Sequence, residues 1–491
     1  MHIIDVAIVT LYVTTVLWIG RQFSYRQRTV RDYFLTGQSV PWWAVMASIV
    51  ATETSTITLI SVPGYAFGGD ITFLQIAFGY IAGRSFVALV LIPPYFRGDI
   101  LTAYQLITTR FGQTLGRAAA TIFLVTRNVS DGLRLFATGI VLATVLASAT
   151  ATAPFPADGN LIILSVCVLA AVTLTYTWLG GMAAVVWMDL VQLVLYLTGA
   201  IVAVLLLVVA IPGGLPAAWT VISDAGKLTL FDLTTDLTRD YTFWSAVIGG
   251  AFFAAATHGT DQMFVQRYLC CRSAKDAKRA LVTSGIVIAV QFALFLTIGL
   301  LLWVYYTESG PNALTSISTA GAVQLDRIFP HFIVARYPVG LRGLMVAAII
   351  AAAMSTLSSS LNSSASSVIG DFYLNQRSTP RSDLTVLRVS RMATIGCALA
   401  QIVVALVAVD LSQRIIDDAL RVQFFTGGFM LGIFLLSVIG RTTHRSGISG
   451  LTSGVLAVVL LSLLTDVSWQ WYTLVGTLVT VSVGYLVHPC R

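Results

Sequence analysis

Charged side chains are scarce in this sequence. Asp, Glu, Lys and Arg make up 10% of its 491 residues, whereas 57% of the residues are hydrophobic. A soluble domain carries roughly 25% charged residues, so the composition excludes a soluble globular protein. We predict an all-α polytopic membrane protein, because a helix satisfies its own backbone hydrogen bonds in lipid. The net charge of +7 is expected to lie in cytoplasmic loops and does not indicate nucleic-acid binding.

Cysteine is also rare, and metal-binding motifs are not found in the sequence. The five cysteines form no CxxC pair, and the five histidines do not lie at metal-ligand spacing. This pattern argues against a disulfide framework and against a metal centre. The sequence contains no HExxH motif either, so we do not expect an enzyme.

Long hydrophobic runs are abundant. A bilayer core of about 30 Å requires about 20 apolar residues per helix, and we count thirteen such runs. They lie near residues 3–20, 41–67, 72–95, 118–147, 160–178, 185–211, 242–265, 281–305, 341–368, 387–409, 422–439, 447–465 and 470–487. No soluble domain interrupts them, which predicts one transmembrane domain over residues 1–491. The first run lacks a preceding basic region and is therefore expected to be a retained helix.

The distribution of Lys and Arg predicts the orientation. With the N-terminus outside and the C-terminus cytoplasmic, nineteen of these residues fall in cytoplasmic segments and seven in outer ones. The cytoplasmic group includes the cluster Arg267, Arg272, Lys275, Lys278 and Arg279. This imbalance is typical of a protein of the cell membrane, plasma or inner.

Two of the predicted helices contain polar interruptions. The second has ATETSTIT at residues 51–58, and the seventh has HGTDQ at residues 258–262. They begin two consecutive groups of five helices, at 41–211 and 242–439. Interrupted helices in matching positions are typical of inverted-repeat transporters with a binding site at mid-membrane. One extra helix (3–20) precedes the two groups, and two extra helices (447–487) follow them.

A hydroxyl-rich stretch raises the question of what it binds. Residues 351–364 read AAAMSTLSSSLNSS and follow a strongly apolar run. Ala352, Ser355 and Ser359 share a helix face, with Thr356 beside Ser355. A carbonyl and two hydroxyls on that face suit sodium, because hard cations prefer oxygen ligands. The later serines, Ser363, Ser364, Ser366 and Ser367, are interpreted as helix-packing residues.

Four motifs resemble one family. These are DYFLTGQSVPWW at 32–43, TWLGGMAAVVWMDLVQ at 177–192, GTDQMFVQRYL at 259–269 and AAAMSTLS at 351–358. In this order they resemble the sodium/solute symporters, and the resemblance covers nearly the whole chain. It implies the LeuT-like fold, a 5+5 inverted repeat.

The resemblance also implies residues that bind sodium. The family's main sodium site uses two carbonyls at the break of the first core helix, which correspond here to Ala51 and Thr54. The carbonyl of Ala352 and the hydroxyls of Ser355 and Thr356 complete the set. Some members hold a second sodium at an aspartate matching Asp189. Here Ser355, Ser358 and Ser359 would accompany that aspartate. The number of sodium ions per cycle, one or two, therefore stays open.

Candidates for the solute cavity or its gate lie at both breaks: Glu53, Thr58, Thr257, His258, Asp261 and Gln262. A carboxylate at a mid-membrane break is a functional candidate by default, although Glu53 can instead pair with a buried arginine. His258 can contact a solute or form a packing hydrogen bond, and Asp261 and Gln262 can instead hold the broken helix. Sugar-transporting members carry an aromatic pair where Thr257 and His258 stand and a lysine in the next helix, which argues against that type of sugar recognition.

These observations predict a sodium-coupled symporter that imports a small polar organic solute by alternating access. The solute class stays open between a sugar, a carboxylate, an amino acid and a vitamin-like molecule. A proton in place of sodium, carried by Glu53 or Asp189, is the main alternative, and a transporter-like sensor or channel is another. The expected partners are the solute, sodium and the lipid bilayer, with a monomer as the expected state and no nucleic acid.

Overall fold

The computed structural model describes residues 2–25, 27–98, 100–149, 159–308, 318–319, 322–374, 382–410, 413–439 and 442–487. These residues are almost entirely helical. The helices are α1 Ile3–Ser24, α2 Val30–Leu35, α3 Trp42–Glu53, α4 Thr56–Gly68, α5 Ile76–Val90, α6 Ile92–Arg97, α7 Tyr104–Phe111, α8 Gln113–Ala149, α9 Gly159–Ala210, α10 Gly214–Asp224, α11 Gly250–Thr260, α12 Gln262–Leu269, α13 Ala274–Glu308, α14 Leu325–Arg336, α15 Leu341–Ser367, α16 Asp383–Val407, α17 Gln413–Val438, α18 His444–Leu464 and α19 Gln470–Leu486. Strands Ser318–Thr319 and Ala322–Val323 form a small antiparallel ribbon.

Each predicted transmembrane run coincides with helical residues, but the count of thirteen spans is not confirmed. Within the described ranges, seven helices are long and apolar enough to cross a membrane, or eight when the bent pair α3–α4 is one span. The runs predicted at 160–178 and 185–211 belong to one element, α9, which turns at Gly181. Gly181 has φ of +54° there, a backbone conformation that glycine adopts without a Cβ penalty.

The first predicted interruption is a sharp break between α3 and α4. The two helices are bent by 66° relative to each other. Thr54 leaves the helical region with ψ of 93°, and the Ser55 side chain accepts a hydrogen bond from the backbone N–H of Thr58. A Ser that caps a new helix directly after a non-helical residue explains why the chain restarts here.

The second predicted interruption separates α11 from α12. Asp261 is the residue between them, with ψ of 122°, and its carboxylate accepts a hydrogen bond from the backbone N–H of Met263. The polar HGTDQ stretch thus contains an aspartate N-cap, one of the strongest helix-start signals.

The two broken helices pack reciprocally. Helix α5 packs against α11, and α13 packs against α4. Each broken helix therefore contacts the helix that comes directly after the other broken helix: α11 contacts α5, and α4 contacts α13. Gly79 allows the first of these approaches, since a Cβ there would lie 2.9 Å from the backbone nitrogen of Ala251 in α11. Such reciprocal contacts between the two halves are consistent with a pair of inverted repeats. The repeat boundaries stay a prediction.

The hydroxyl-rich helix α15 lies at the centre of the protein. In its most apolar stretch, 94% of the residues are buried inside the protein, compared with 22% in the corresponding stretch of α1. It contacts α9, α8, α1 and α3. Because α15 faces protein on nearly all sides, its hydroxyls can meet polar partners rather than lipid.

Candidate ion and solute site

Helix α15 lies against the break between α3 and α4. The Thr356 hydroxyl donates a hydrogen bond to the backbone carbonyl of Thr52 at 3.2 Å. Two turns away, the Thr56 hydroxyl donates to the carbonyl of Ile349, also at 3.2 Å. The face of α15 that contains Ala352 lies between these two contacts.

The break supplies carbonyl oxygens to this face. The last four carbonyls of a helix have no intrahelical donors, and in α3 these include the carbonyls of Ala51 and Thr52. Ala51, Thr54, Ala352, Ser355 and Thr356 are all buried, with at most 2% exposure. The contact between Thr356 and Thr52 places α15 against the end of α3, and a sodium site formed by these five residues stays a prediction, in which neutral oxygens would replace the hydration shell of the cation.

Asp189 adjoins this place from α9. Its Oδ1 atom accepts a hydrogen bond from the Ser355 hydroxyl at 2.6 Å. Its Oδ2 atom accepts from the Ser48 hydroxyl. Asp189 is completely buried, so its carboxylate does not extend to the membrane surface.

Arg267 is the residue that sequence reasoning placed wrongly. The distribution of basic residues predicts a cytoplasmic loop position for Arg267, but its side chain is 1% exposed and forms a salt bridge with Asp189 at 3.0 Å. It also donates hydrogen bonds to the hydroxyls of Ser48, Thr52 and Ser359. The sequence offers no clear local signal for this position, because Arg267 is followed closely by the basic residues Arg272, Lys275, Lys278 and Arg279.

The predicted second sodium site coincides with this arginine. Asp189, Ser355 and Ser359 do come together, and the guanidinium of Arg267 bonds to Asp189 and Ser359. The Ser358 and Ser359 hydroxyls both donate to the carbonyl of Ser355. A cation bound here would share Asp189 with Arg267, so the second site stays a prediction.

Glu53 is paired at the end of α3. Its carboxylate forms a salt bridge with the fully buried Arg84 of α5. His258 Nε2 lies 3.6 Å from the same carboxylate, and His258 Nδ1 hydrogen-bonds to the Tyr268 hydroxyl at 3.0 Å. These partners favour the structural alternative for both Glu53 and His258.

A cavity of about 410 Å³ opens beside the break, between α4, α8, α11 and α17. Four of the predicted solute-site candidates line it: Glu53, Thr58, Thr257 and Asp261. His258 and Gln262 do not belong to its lining. Aromatic rings form one wall, including Phe253, Phe424 and Trp469, and the last two rings lie 4.1 Å apart between centroids.

Gln262 instead ties α12 to its neighbours. Its side-chain amide donates to the carbonyl of Leu101 and to the Ser366 hydroxyl, both at 3.1 Å. Its amide oxygen accepts from the backbone N–H of Ala103 at 2.8 Å. Ser366, which was interpreted as a packing residue, thus also forms a polar contact between α15 and α12.

Four charged residues extend from the cavity to the break before α12. Arg134 lines the cavity, and its side chain is 27% exposed. It bonds to Asp131 at 3.1 Å and to the side-chain oxygen of Gln423 at 3.0 Å. Arg127 lies 3.5 Å from the other oxygen of Asp131 and forms a salt bridge with Asp261. The pairing of Asp131 with Arg134, one helical turn apart, is thus part of a longer chain of charges.

Comparisons with known proteins agree with this geometry. The sodium:solute symporter family matches residues 33–456. The sodium/sialic acid symporter of Proteus mirabilis is 30% identical over 491 residues, covering 99% of this chain and 95% of the relative. The one from Aliivibrio fischeri is 29% identical, covering 97% and 91%.

A solved structure extends the likeness to three dimensions. A Na+-coupled sialic acid symporter in a substrate-bound outward-open state superposes with a TM-score of 0.88 and 29% identity, covering 99% of this chain and 98% of that one. The predicted LeuT-like transporter fold and the coupling to sodium are confirmed. The chain is a sodium-coupled symporter and belongs to the sodium:solute symporter family.

Proposed function

We propose that this symporter imports a hydroxylated carboxylate of sugar-acid size, with sialic acid as the first candidate. The solute crosses unchanged, without enzymatic conversion, and sodium moves in the same direction. The single observation that carries the proposal is the partly exposed guanidinium of Arg134 in a cavity that is also lined by hydroxyls, aromatic rings and the ion-paired Glu53, Arg127 and Asp261.

Arg134 suits a carboxylate because a guanidinium offers two parallel N–H donors to its two oxygens. The side chain is partly exposed to the cavity rather than fully enclosed like Arg84. Its partner Gln423 comes from α17, on the opposite wall. An anion that bonds to both residues would bridge α8 and α17.

The remaining lining suits a polar solute of moderate size. Hydroxyls from Thr58, Ser61, Thr126 and Thr260 face the same cavity as the aromatic wall. Its volume of about 410 Å³ lies in the range of roughly 300–1,000 Å³ that is typical of small-molecule sites. Two relatives and one solved structure are sialic acid symporters, which supports this choice among carboxylates.

The coupling ion is proposed to bind at Ala51, Thr54, Ala352, Ser355 and Thr356. Sodium there would hold the α3–α4 break against α15 and stabilise the state that captures solute, because a ligand shifts an equilibrium by its differential affinity. Thr52 lines the solute cavity and its carbonyl accepts from Thr356. The ion and the solute would thus bind on either side of one break. We further propose a monomer in the cell membrane, with the N-terminus outside and the C-terminus cytoplasmic.

Uptake of radiolabelled sialic acid by proteoliposomes under an inward sodium gradient tests the proposal. Wild-type protein should accumulate the solute in sodium and not in choline. Arg134→Gln should raise the KM at least tenfold, since a charge-assisted hydrogen bond to a carboxylate is worth about 1.5–3 kcal/mol. Thr121→Val, on the outer face of the same helix, is the matched control. Unlabelled carboxylates and neutral sugars used as competitors would show whether another solute class is preferred, and preference for a neutral sugar would contradict the proposal.

A further inference from the structure

The charges on α8 alternate in sign along a continuous path. Arg134, Asp131 and Arg127 follow one another at spacings of three and four residues, so they share a helix face. Asp261 ends the path at the start of α12. The charges of the two arginines and the two aspartates cancel when no solute is bound, which allows all four groups to remain charged in a protein interior.

Asp131 is the shared member of this path. It is completely buried, with one carboxylate oxygen 3.1 Å from Arg134 and the other 3.5 Å from Arg127. The contact with Arg127 is longer than a hydrogen bond, and the Nε atom of Arg127 has no hydrogen-bond partner among the described residues. Arg127 therefore has an unused donor for a closer contact with Asp131.

Asp261 connects the path to α12. It is the non-helical residue between α11 and α12, and it caps α12 through the N–H of Met263. Six residues further along, the same short helix carries Arg267, which pairs with Asp189 next to Ser355. The Arg127–Asp261 salt bridge thus fixes the end of α12 that faces the solute cavity, while Arg267 fixes the face near the ion site.

We propose that Asp131 and Arg127 are positioning residues that couple the binding of an anionic solute at Arg134 to the release of α12. This inference rests on the proposed carboxylate substrate. A carboxylate that binds Arg134 competes with Asp131 for the guanidinium. A buried aspartate cannot remain without a cation at low cost, so Asp131 draws Arg127 closer. Arg127 then loosens its hold on Asp261, and the break before α12 is freed to change angle.

In this proposal the coupling acts through α12, which carries the Arg267–Asp189 ion pair and begins at Asp261, the partner of Arg127. Both ligands act on α12, the solute through Arg127 and sodium through the neighbourhood of Asp189. By linkage, each ligand then changes the affinity for the other by the same factor.

The test combines calorimetric binding of sialic acid with sodium-driven uptake, both on full-length protein. Asp131→Asn removes the carboxylate that competes for Arg134, so the solute Kd should fall by about threefold to tenfold. A tenfold fall in Kd corresponds to about 1.4 kcal/mol of additional binding free energy. Initial uptake should fall about tenfold in the same variant, because an amide draws Arg127 away from Asp261 only weakly. Asp131→Glu keeps the charge and should recover part of the uptake.

Asp261→Asn provides a second variant in case Asp131→Asn does not fold. Asparagine remains a good N-cap but lacks the charge that holds Arg127. The factor by which sodium tightens solute binding should then fall to within about twofold of one, from a wild-type value expected at roughly five or more. Asp371→Asn is the matched control: it removes another buried carboxylate, bonded to Thr102 and Ser367, and its solute Kd should equal that of the wild type.

The outcomes separate the two proposals. If wild-type protein binds no carboxylate, both the proposed function and the coupling role are overturned. If wild-type protein binds sialic acid but Asp131→Asn weakens binding and uptake together, Asp131 only supports the fold and the coupling role alone is overturned. An unchanged sodium effect in Asp261→Asn would also overturn it.

Discussion

Arg267 and Asp189 form a salt bridge in the centre of the protein, with 3.0 Å between Nη2 and Oδ2 and no more than 1% exposure of either side chain. A buried pair is costly to create, but removal of one partner leaves an uncompensated charge. The pair also adjoins Ser355, so it links the fold of α12 to the proposed ion site.

Asp189→Asn should lower the free energy of unfolding by about 3–5 kcal/mol, because Arg267 would stay buried without its carboxylate. Asp189→Asn/Arg267→Gln should recover more than half of that loss. Thermal melts of the purified single and double variants measure the difference. Additive losses in the double variant would show that the two charges do not stabilise each other.

Glu53 is expected to act as a structural partner of Arg84 rather than as a proton carrier. Glu53→Gln should destabilise the protein by about 3–5 kcal/mol, since Arg84 is fully buried. Asp224→Asn, at an exposed carboxylate, is the control and should change stability by less than about 0.5 kcal/mol. In wild-type proteoliposomes, a pH gradient without sodium should drive no uptake. Uptake driven by pH alone, and lost in Glu53→Gln, would contradict this assignment.

Close packing of α5 against α11 predicts a contrast between two glycines. A Cβ at Gly79 would lie 2.9 Å from the backbone nitrogen of Ala251 in α11, and 2.6 Å from the carbonyl oxygens of Ala246 and Val247 just before that helix. A Cβ at Gly396 of α16 would meet no atom within 4 Å. Gly79→Ala should therefore destabilise by about 1–3 kcal/mol. Gly396→Ala should stabilise by about 0.5–1 kcal/mol through helix propensity. The melting temperatures of the two variants should therefore shift in opposite directions. A shift in the same direction would argue against this packing.

Both breaks could be predicted from the sequence because each has a local cause. Ser55 and Asp261 are helix-capping residues inside otherwise apolar runs. The face of α15 that meets the first break followed from helical spacing alone. These features depend on a few adjacent residues, which is why pattern reasoning found them.

Long-range pairings could not be predicted in the same way. Arg267 lies 78 positions from Asp189 along the chain, and no local pattern distinguishes a buried arginine from one in a basic loop. The partners of Glu53 and the link between Arg127 and Asp261 depend equally on how α5, α8 and α12 pack. The turn of α9 at Gly181 was missed because two glycines in an apolar run also suit a loop between helices.

The central claim is that sodium binds where α15 meets the α3–α4 break, and its most direct test is sodium-dependent thermal stabilisation of the purified protein. At ten times the Kd, bound sodium contributes about 1.4 kcal/mol, which should raise the melting temperature by about 1–3 °C. Sodium should stabilise the wild type but not Ser355→Ala/Thr356→Ala, and potassium or choline should stabilise neither. Equal stabilisation of both proteins by sodium would place the ion elsewhere and contradict the account.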